Sequence, residues 1–167
     1  MINNEKVDND SPTKSEIEKI RAILSIQFDA TVAQMLLKNK ITIKRSLRTG
    51  RIKFIYLNGQ LLGTLRATDE RFVPTLYGAK LIKKYLPENK LTIKVTEEAA
   101  PWIAKGRTVF CKHIVDVDEE ILPGEEVFIV DTQGNLIALG KAILSGREMS
   151  EKKKGRAVKV RKGIGTD

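Results

Sequence analysis

The 167 residues contain a single cysteine, Cys111, and a single histidine, His113. An internal disulfide is therefore impossible, and two ligands fall short of the four that a structural zinc takes. Aromatic residues are scarce at 5%, so extensive base stacking is not expected. No apolar run approaches the roughly 18 residues that cross a bilayer. Residues 1–11 mix Asn, Asp, Glu and Lys without the apolar core of a secretory signal. The expectation is a cytoplasmic protein that touches no membrane. A barrel enzyme of roughly 250 residues does not fit in this length, which suits one ordinary domain or two small ones. No Gly-rich loop followed by Lys-Ser/Thr is present, so nucleotide hydrolysis has no support. Neither a cofactor nor a bound metal is expected.

Charge is plentiful and unevenly placed. Thirty basic against twenty-one acidic residues give +9. Residues 1–37 carry four bases against six acids, 38–94 fourteen against three, 95–140 three against nine, and 141–167 nine against three. Blocks of one sign fit a polyanion-binding face assembled from separated segments, with nucleic acid as the leading partner. Composition alone is equally compatible with lysines decorating solvated faces, as in heat-adapted proteins.

Periodicity divides the chain. Residues 1–12 read as a disordered leader. Thr13-x-x-Glu16 has the form of a capping box, and Ile17, Ile20, Ile23 and Leu24 recur at helical spacing. Asp29 caps a second short helix through Val32, Met35 and Leu36. From Ile41 the period becomes two: Ile41 and Ile43 alternate with Thr42 and Lys44, and Ile52, Phe54 and Tyr56 with Lys53 and Ile55, which places Phe54 in the core. Asn58-Gly59 marks a hairpin turn. Leu76, Ala79, Leu81, Ile82 and Tyr85 read as a helix closed by Pro87. Residues 13–88 thus form an α+β module, helices on a small antiparallel sheet. Residues 90–163 read as a mostly-β pseudo-barrel. It has a strand at Leu91, Ile93 and Val95, then a helix over 97–104 with Trp102 and Ile103 inward, Trp102 being also close enough to the Lys105 turn to border a bound RNA. Strands follow over 109–117, 126–130, 136–144 and 155–162, with Phe110 and Phe128 in the core. Residues 164–167 are expected to fray.

The second module resembles a PUA domain. The resemblance lies in Lys105-Gly106-Arg107-x-Val109-Phe110, Leu122-Pro123-Gly124-x-Glu126-Val127, Ala138-x-Gly140-x-Ala142 and Gly155-Arg156-Ala157-Val158. Leu144-Ser145-Gly146-Arg147-Glu148-Met149, followed by the run from Gly155 to Gly163, is similar to the C-terminal end of archaeal tRNA-guanine transglycosylases. Those enzymes exchange a D-arm guanine for an archaeosine precursor. Leu57-Asn58-Gly59-x-Leu61-Leu62-x-Thr64-Leu65-Arg66-Ala67 resembles the small domain that precedes PUA there. The catalytic barrel of that family, its aspartates and its zinc site have no counterpart here. The resemblance implies an RNA-holding, non-catalytic module that grips the tRNA acceptor arm and its single-stranded end, either as a separate subunit beside a catalytic transglycosylase chain or as an independent RNA binder. A translation-associated, ribosome-binding factor with a PUA domain is the alternative, to which Phe72-Val73-Pro74-Thr75-Leu76 also fits.

In proteins of this type RNA lies across the turn after the first PUA helix and the last strand. The resemblance therefore assigns RNA contact to Lys105, Gly106, Arg107, Gly155, Arg156, Lys159 and Arg161, with Arg147 nearby. The cations would meet phosphates, while Gly106 would let the backbone approach and donate an amide hydrogen bond. The bland reading is that some of these side chains only flank a barrel face. Lys152-Lys153-Lys154 reads as a solvated loop, as does the acidic cluster Asp116, Asp118, Glu119 and Glu120. Cys111 and His113 fall at strand spacing, on one face, but without a third orienting group they read as a partly buried pair, not a nucleophile and base.

Overall fold

Thr13 opens the first helix, α1 (Lys14–Gln27), with both halves of the capping box in place. Its hydroxyl accepts from the Glu16 N–H at 3.1 Å and the Glu16 carboxylate accepts from the Thr13 N–H at 3.0 Å. The computed structural model describes residues 10–166, and the chain divides into two compact units between Tyr85 and Leu86.

In the first unit, Asp29 caps α2 (Ala30–Leu36) by accepting from the Thr31 N–H. Four antiparallel strands follow, β1 (Ile41–Arg45), β2 (Ile52–Leu57), β3 (Gln60–Leu65) and β4 (Phe72–Pro74), in the order β1-β2-β3-β4. Asn58 and Gly59, with φ of 50° and 83°, turn β2 into β3. α3 (Leu76–Tyr85) lies directly on β3, where a Cβ at Gly78 would overlap the Leu62 carbonyl. The helices and one sheet face enclose Ile20, Leu24, Phe28, Leu36, Ile43, Ile55, Leu62, Phe72 and Ile82. The Gln27 amide donates to the Phe72 carbonyl and accepts from its N–H, at 2.6 and 2.9 Å, standing in for a further strand on the β4 edge.

The core phase of β2 differs from the sequence expectation. Ile41 faces Leu57 and Ile43 faces Ile55, and these four are buried, while Phe54 and Tyr56 lie half-buried on the opposite side. The reason is a bulge: Arg45 pairs with Ile52 and Lys44 with Phe54, so Lys53 is an extra residue and the alternation inverts across it. The leader assigned to residues 1–12 lies outside the described residues as far as residue 9. Asp10 exchanges two backbone hydrogen bonds with Ile43 on β1.

The second unit is one mixed sheet. Its strands are β5 (Thr92–Val95), β6 (Val109–Phe110), β7 (Ile114–Val117), β8 (Glu126–Val130), β9 (Leu136–Ala142) and β10 (Arg156–Gly163). Their order is β6-β10-β9-β8-β5-β7, and only β5 with β8 is parallel. The two outer strands, β6 and β7, are consecutive in the chain, so the sheet nearly closes into a pseudo-barrel around Ile93, Val95, Val109, Val127, Phe128, Leu139 and Val158. The single strand expected over 109–117 is therefore broken by a 3₁₀ turn, Cys111–His113, where the chain leaves β10 and joins β5. Two short helices complete the unit, α4 (Ala100–Ala104) and α5 (Gly146–Glu151). α5 has no counterpart among the helices that periodicity predicts. It starts on a second capping box, Ser145 with Glu148. In the stretch 164–166 the Ile164 N–H donates to Ile137 and that of Gly165 to Ala104, at 2.9 and 2.8 Å.

Glu16 carries a second load. Arg45 donates to it through Nε at 3.0 Å and Nη2 at 2.5 Å, and these hydrogen bonds hold the carboxyl at about 2. A depressed carboxyl pKa contributes stability that is complete above its ordinary value of 4.5 and is lost as pH falls toward 2. Glu16→Gln should flatten the acid limb of the stability curve between those values. Glu16→Ala, which also removes the cap, should cost about 1–3 kcal/mol. Urea unfolding at stepped pH measures both, and an unchanged acid limb in Glu16→Gln would remove the pair from that role.

Candidate nucleic-acid interface

A single-turn helix sets the geometry. α4 ends in a Schellman motif: the Gly106 N–H donates to Ile103 and the Arg107 N–H to Trp102, at 2.9 and 3.1 Å, with Gly106 at φ +95°. Glycine is needed here for the left-handed backbone, and its amide hydrogen is already donated within the turn. The amide contact with RNA expected of Gly106 is therefore taken. Lys105 and Arg107, on either side, are exposed.

The end of β10 meets this turn. At Gly163 a Cβ would overlap the Ala104 carbonyl oxygen, which also accepts the Gly165 N–H. Lys105 and Arg107 are thus brought beside the last strand, whose Arg156, Lys159 and Arg161 are exposed. Arg156 lies directly opposite Phe110 on β6, and Gly155, at φ +104°, accepts the Cys111 N–H. Arg147 is placed elsewhere. It sits on α5, which packs on β7 and on the backbone of Asp118 and Glu119.

Arg161 differs from its neighbours. Its Nη2 donates to Glu126 Oε2 at 2.8 Å, and the Glu126 side chain is only 10% exposed. Among the described residues Lys105, Arg107, Arg156 and Lys159 have no acidic partner. Lys159 on β10 directly faces Lys141 on β9, and Lys141 in turn faces Glu126 on β8, so the two lysines share a cross-strand row with the carboxylate that Arg161 also meets. Lys141 is a member of this face that the sequence reading missed, although its alternation with Gly140 and Ala142 would have placed it outward.

Two aromatic residues also stand where the sequence did not put them. Trp102 is 58% and Phe110 40% exposed, whereas Phe128 is buried as expected. α4 is too short to bury more than one flank, and Ile103 fills it. Trp102 and Phe110 line a depression of about 310 Å³ with Glu98, Arg107, Lys112 and His113. Lys105 Nζ lies 5.4 Å from the Trp102 ring centroid. A larger groove of about 450 Å³ runs between β7 and α5, but Asp116 and Glu119 line it together with Lys152 and Lys153. The 3₁₀ turn takes Cys111 and His113 off a common strand face; Cys111 is buried, which pushes its thiol up, away from a reactive thiolate. Asp118 accepts the N–H groups of Leu91 and Glu120 and so has a structural role. Among the described residues no three His, Cys, Asp or Glu side chains converge on a metal position, and no helix is long and apolar enough to cross a membrane.

Comparison with known proteins matches residues 92–164 to the PUA domain and residues 18–89 to the patch-forming domain C2 of tRNA-guanine transglycosylase. A tRNA-guanine(15) transglycosylase of Methanocaldococcus jannaschii is 40% identical over 147 residues, which are 87% of this chain and 22% of that protein. The same enzyme of Thermoplasma acidophilum is 37% identical over 164 residues, 98% of this chain and 26% of the relative. The chain thus spans about a quarter of the length of the curated relatives it matches. A solved hypothetical protein of Pyrococcus horikoshii is 28% identical with a TM-score of 0.74, covering 92% of this chain and 93% of that one. A conserved PUA domain protein of Thermoplasma acidophilum, 22% identical with a TM-score of 0.69 over 94% of each chain, shares the fold.

The Arg161–Glu126 pair yields a stability test. Arg161→Met should cost about 1–3 kcal/mol by leaving Glu126 buried, less than a fully enclosed pair because 35% of the Arg161 side chain is exposed. Adding Glu126→Gln should restore most of it. Arg156→Ala should stay within about 0.5 kcal/mol of the parent. Urea midpoints decide, and equal losses at Arg156 and Arg161 would contradict the pairing.

Proposed function

We propose that this chain, a patch-forming C2 domain of tRNA-guanine transglycosylase joined to a PUA domain, binds structured RNA, and most specifically tRNA through its acceptor arm. Its place is as a non-catalytic partner of a transglycosylase in archaeosine modification, in the cytoplasm. The observation that carries the reading is the meeting of the α4 turn with the end of β10, which gathers Lys105, Arg107 and the β10 cations on a PUA frame. Cations without internal carboxylates are the groups that a phosphate backbone neutralises, and glycine contacts set their spacing. The relatives support the tRNA setting: the stretch they share with this chain is about a quarter of each tRNA-guanine(15) transglycosylase.

Binding of purified chain to a tRNA transcript, measured across a salt series, tests the reading. Affinity should fall as salt rises, and removal of charge at Lys105, Arg107, Arg156 or Lys159 should lower the log–log slope by about one each. Arg161 should change the slope less, since Glu126 already balances it. Salt-independent affinity, or none, would sink the proposal. Capture of the tagged chain from native lysate tests the setting. Enrichment of tRNA with a barrel-type transglycosylase supports it, whereas ribosomal RNA with initiation components would move the protein to translation.

A further inference from the structure

We propose that the depression between the β1–β2 and β3–β4 loops of the first unit binds a small phosphate monoester, its phosphate on Arg48, Arg51 and Lys53 and its apolar body on Ile52, Leu65 and Ala67. The two loops are built alike. The Ser46 and Arg66 N–H groups donate to the carbonyls five residues on, those of Arg51 and Arg71, at 2.8 and 3.0 Å. The Ser46 and Arg66 carbonyls accept from the residues four on, Gly50 and Glu70, at 2.8 and 2.9 Å. Gly50 and Glu70 hold the same left-handed position, at φ of 70° and 56°. In the order β1-β2-β3-β4 both turns leave the same end of the sheet. They border one depression of about 270 Å³, and their backbone hydrogen bonds set its walls without help from a ligand.

The lining joins an apolar floor to a cationic rim. Ile52 and Leu65, 8% and 7% exposed, form the floor with Ala67. Successive residues of a regular strand point to opposite faces, yet Ile52 and Lys53 both line the depression, because Lys53 is the extra residue of the β2 bulge. Arg48, Arg51 and Lys53 are exposed, and among the described residues none of them has an acidic partner. The acids nearby are engaged. Glu70, which also lines the depression, binds Lys19 at 2.6 Å, and Asp69 binds Arg66. The Ser46 hydroxyl accepts from the Thr49 N–H and the Thr49 hydroxyl from the Arg51 N–H, at 3.4 and 3.3 Å, so each keeps its own hydrogen to donate to an anion. Three cations and two O–H donors suit the oxygens of one phosphate. A nucleic-acid backbone is held by charge on an open surface and gains nothing from a recess. A recess floored by two buried aliphatic side chains selects a discrete molecule whose apolar part enters it, and a volume just below the usual small-ligand range limits that part to about one ring.

The probes are phenyl phosphate, inorganic phosphate and phenol, titrated into the full chain at low salt with backbone amide shifts as the readout. Phenyl phosphate should saturate the site and move the amides of Thr49, Gly50 and Ala67. Inorganic phosphate should move the same amides with weaker affinity, and phenol should leave them in place. Arg48→Ala and Arg51→Ala should each weaken phenyl phosphate about tenfold. Ala67→Phe fills the recess and keeps every cation, so it should remove the advantage of phenyl phosphate over inorganic phosphate. All three positions are exposed, and thermal unfolding of the variants should match the parent. Unmoved amides with phenyl phosphate, or affinity unchanged in both arginine variants, overturns the site. Equal affinity of the unmodified chain for phenyl phosphate and inorganic phosphate overturns it too, since the recess would then contribute nothing. A blunt RNA duplex is the last probe: if it alone moves these amides, the cations serve a nucleic-acid backbone and the small-molecule site is overturned. None of these outcomes touches the tRNA reading, which rests on Lys105, Arg107 and β10.

Discussion

The contact on which the second unit depends is the approach of β10 to the C-terminal carbonyl of α4. Side chains have no room there: Gly163 lies against the Ala104 oxygen, and the Gly165 N–H donates to that same oxygen. A helix of five residues has too little hydrogen bonding to hold its own position. The strand supplies what the helix lacks. Fixing Ala104 fixes Lys105, and the left-handed Gly106 then sends Arg107 back along the barrel wall. The backbone of three glycines and a carbonyl therefore determines where Lys105 and Arg107 stand.

That division of labour explains the charge pattern. In the first unit some cations answer internal acids: Arg45 binds Glu16 and Asp10, Arg66 binds Asp69, and Lys19 binds Glu70. In the second unit Arg161 alone among the candidate cations is tied to a nearly buried carboxylate, and it lies on the same strand as Lys159, whose cross-strand neighbour is another lysine. Solvated decoration spreads charge where repulsion is least. Lys105, Arg107, Arg156 and Lys159, none of them with an acidic partner among the described residues, are the opposite arrangement and suit an anionic ligand. Glu126 keeps this concentration of positive charge compatible with folding by neutralising the one member that reaches across the sheet.

Local signals are legible where they act within a few residues. Thr13-x-x-Glu16, Asp29 and Asn58-Gly59 each dictate a conformation through their own hydrogen bonds or φ angles, and the structure places each as read. Ser145-x-x-Glu148 has the same form as the first capping box, but the helix it opens is six residues long, too short for an apolar period to show. The phase of β2 is not legible, because residues 52–57 alternate plausibly in either register and a bulge opposite Lys44 and Arg45 decides between them. The break at Cys111–His113 follows from barrel closure, which is a property of the whole sheet and of no short segment.

Trp102 and Phe110 show why the candidate site is only half legible. Charge is visible in a sequence because lysine and arginine face water almost wherever they occur, so the cations of the α4 turn and β10 can be named in advance. An aromatic residue in an apolar pattern reads as core, and for Phe128 that is right. For Trp102 the pattern misleads, because a one-turn helix has a single inward position and Ile103 occupies it. Phe110 is the last residue of a two-residue strand, just before the chain turns away, and its ring is left outside. Both exposures are consequences of short elements at the barrel seam. The seam therefore brings two of the chain's few aromatics to the surface, beside the cations that the sequence already assigned to RNA.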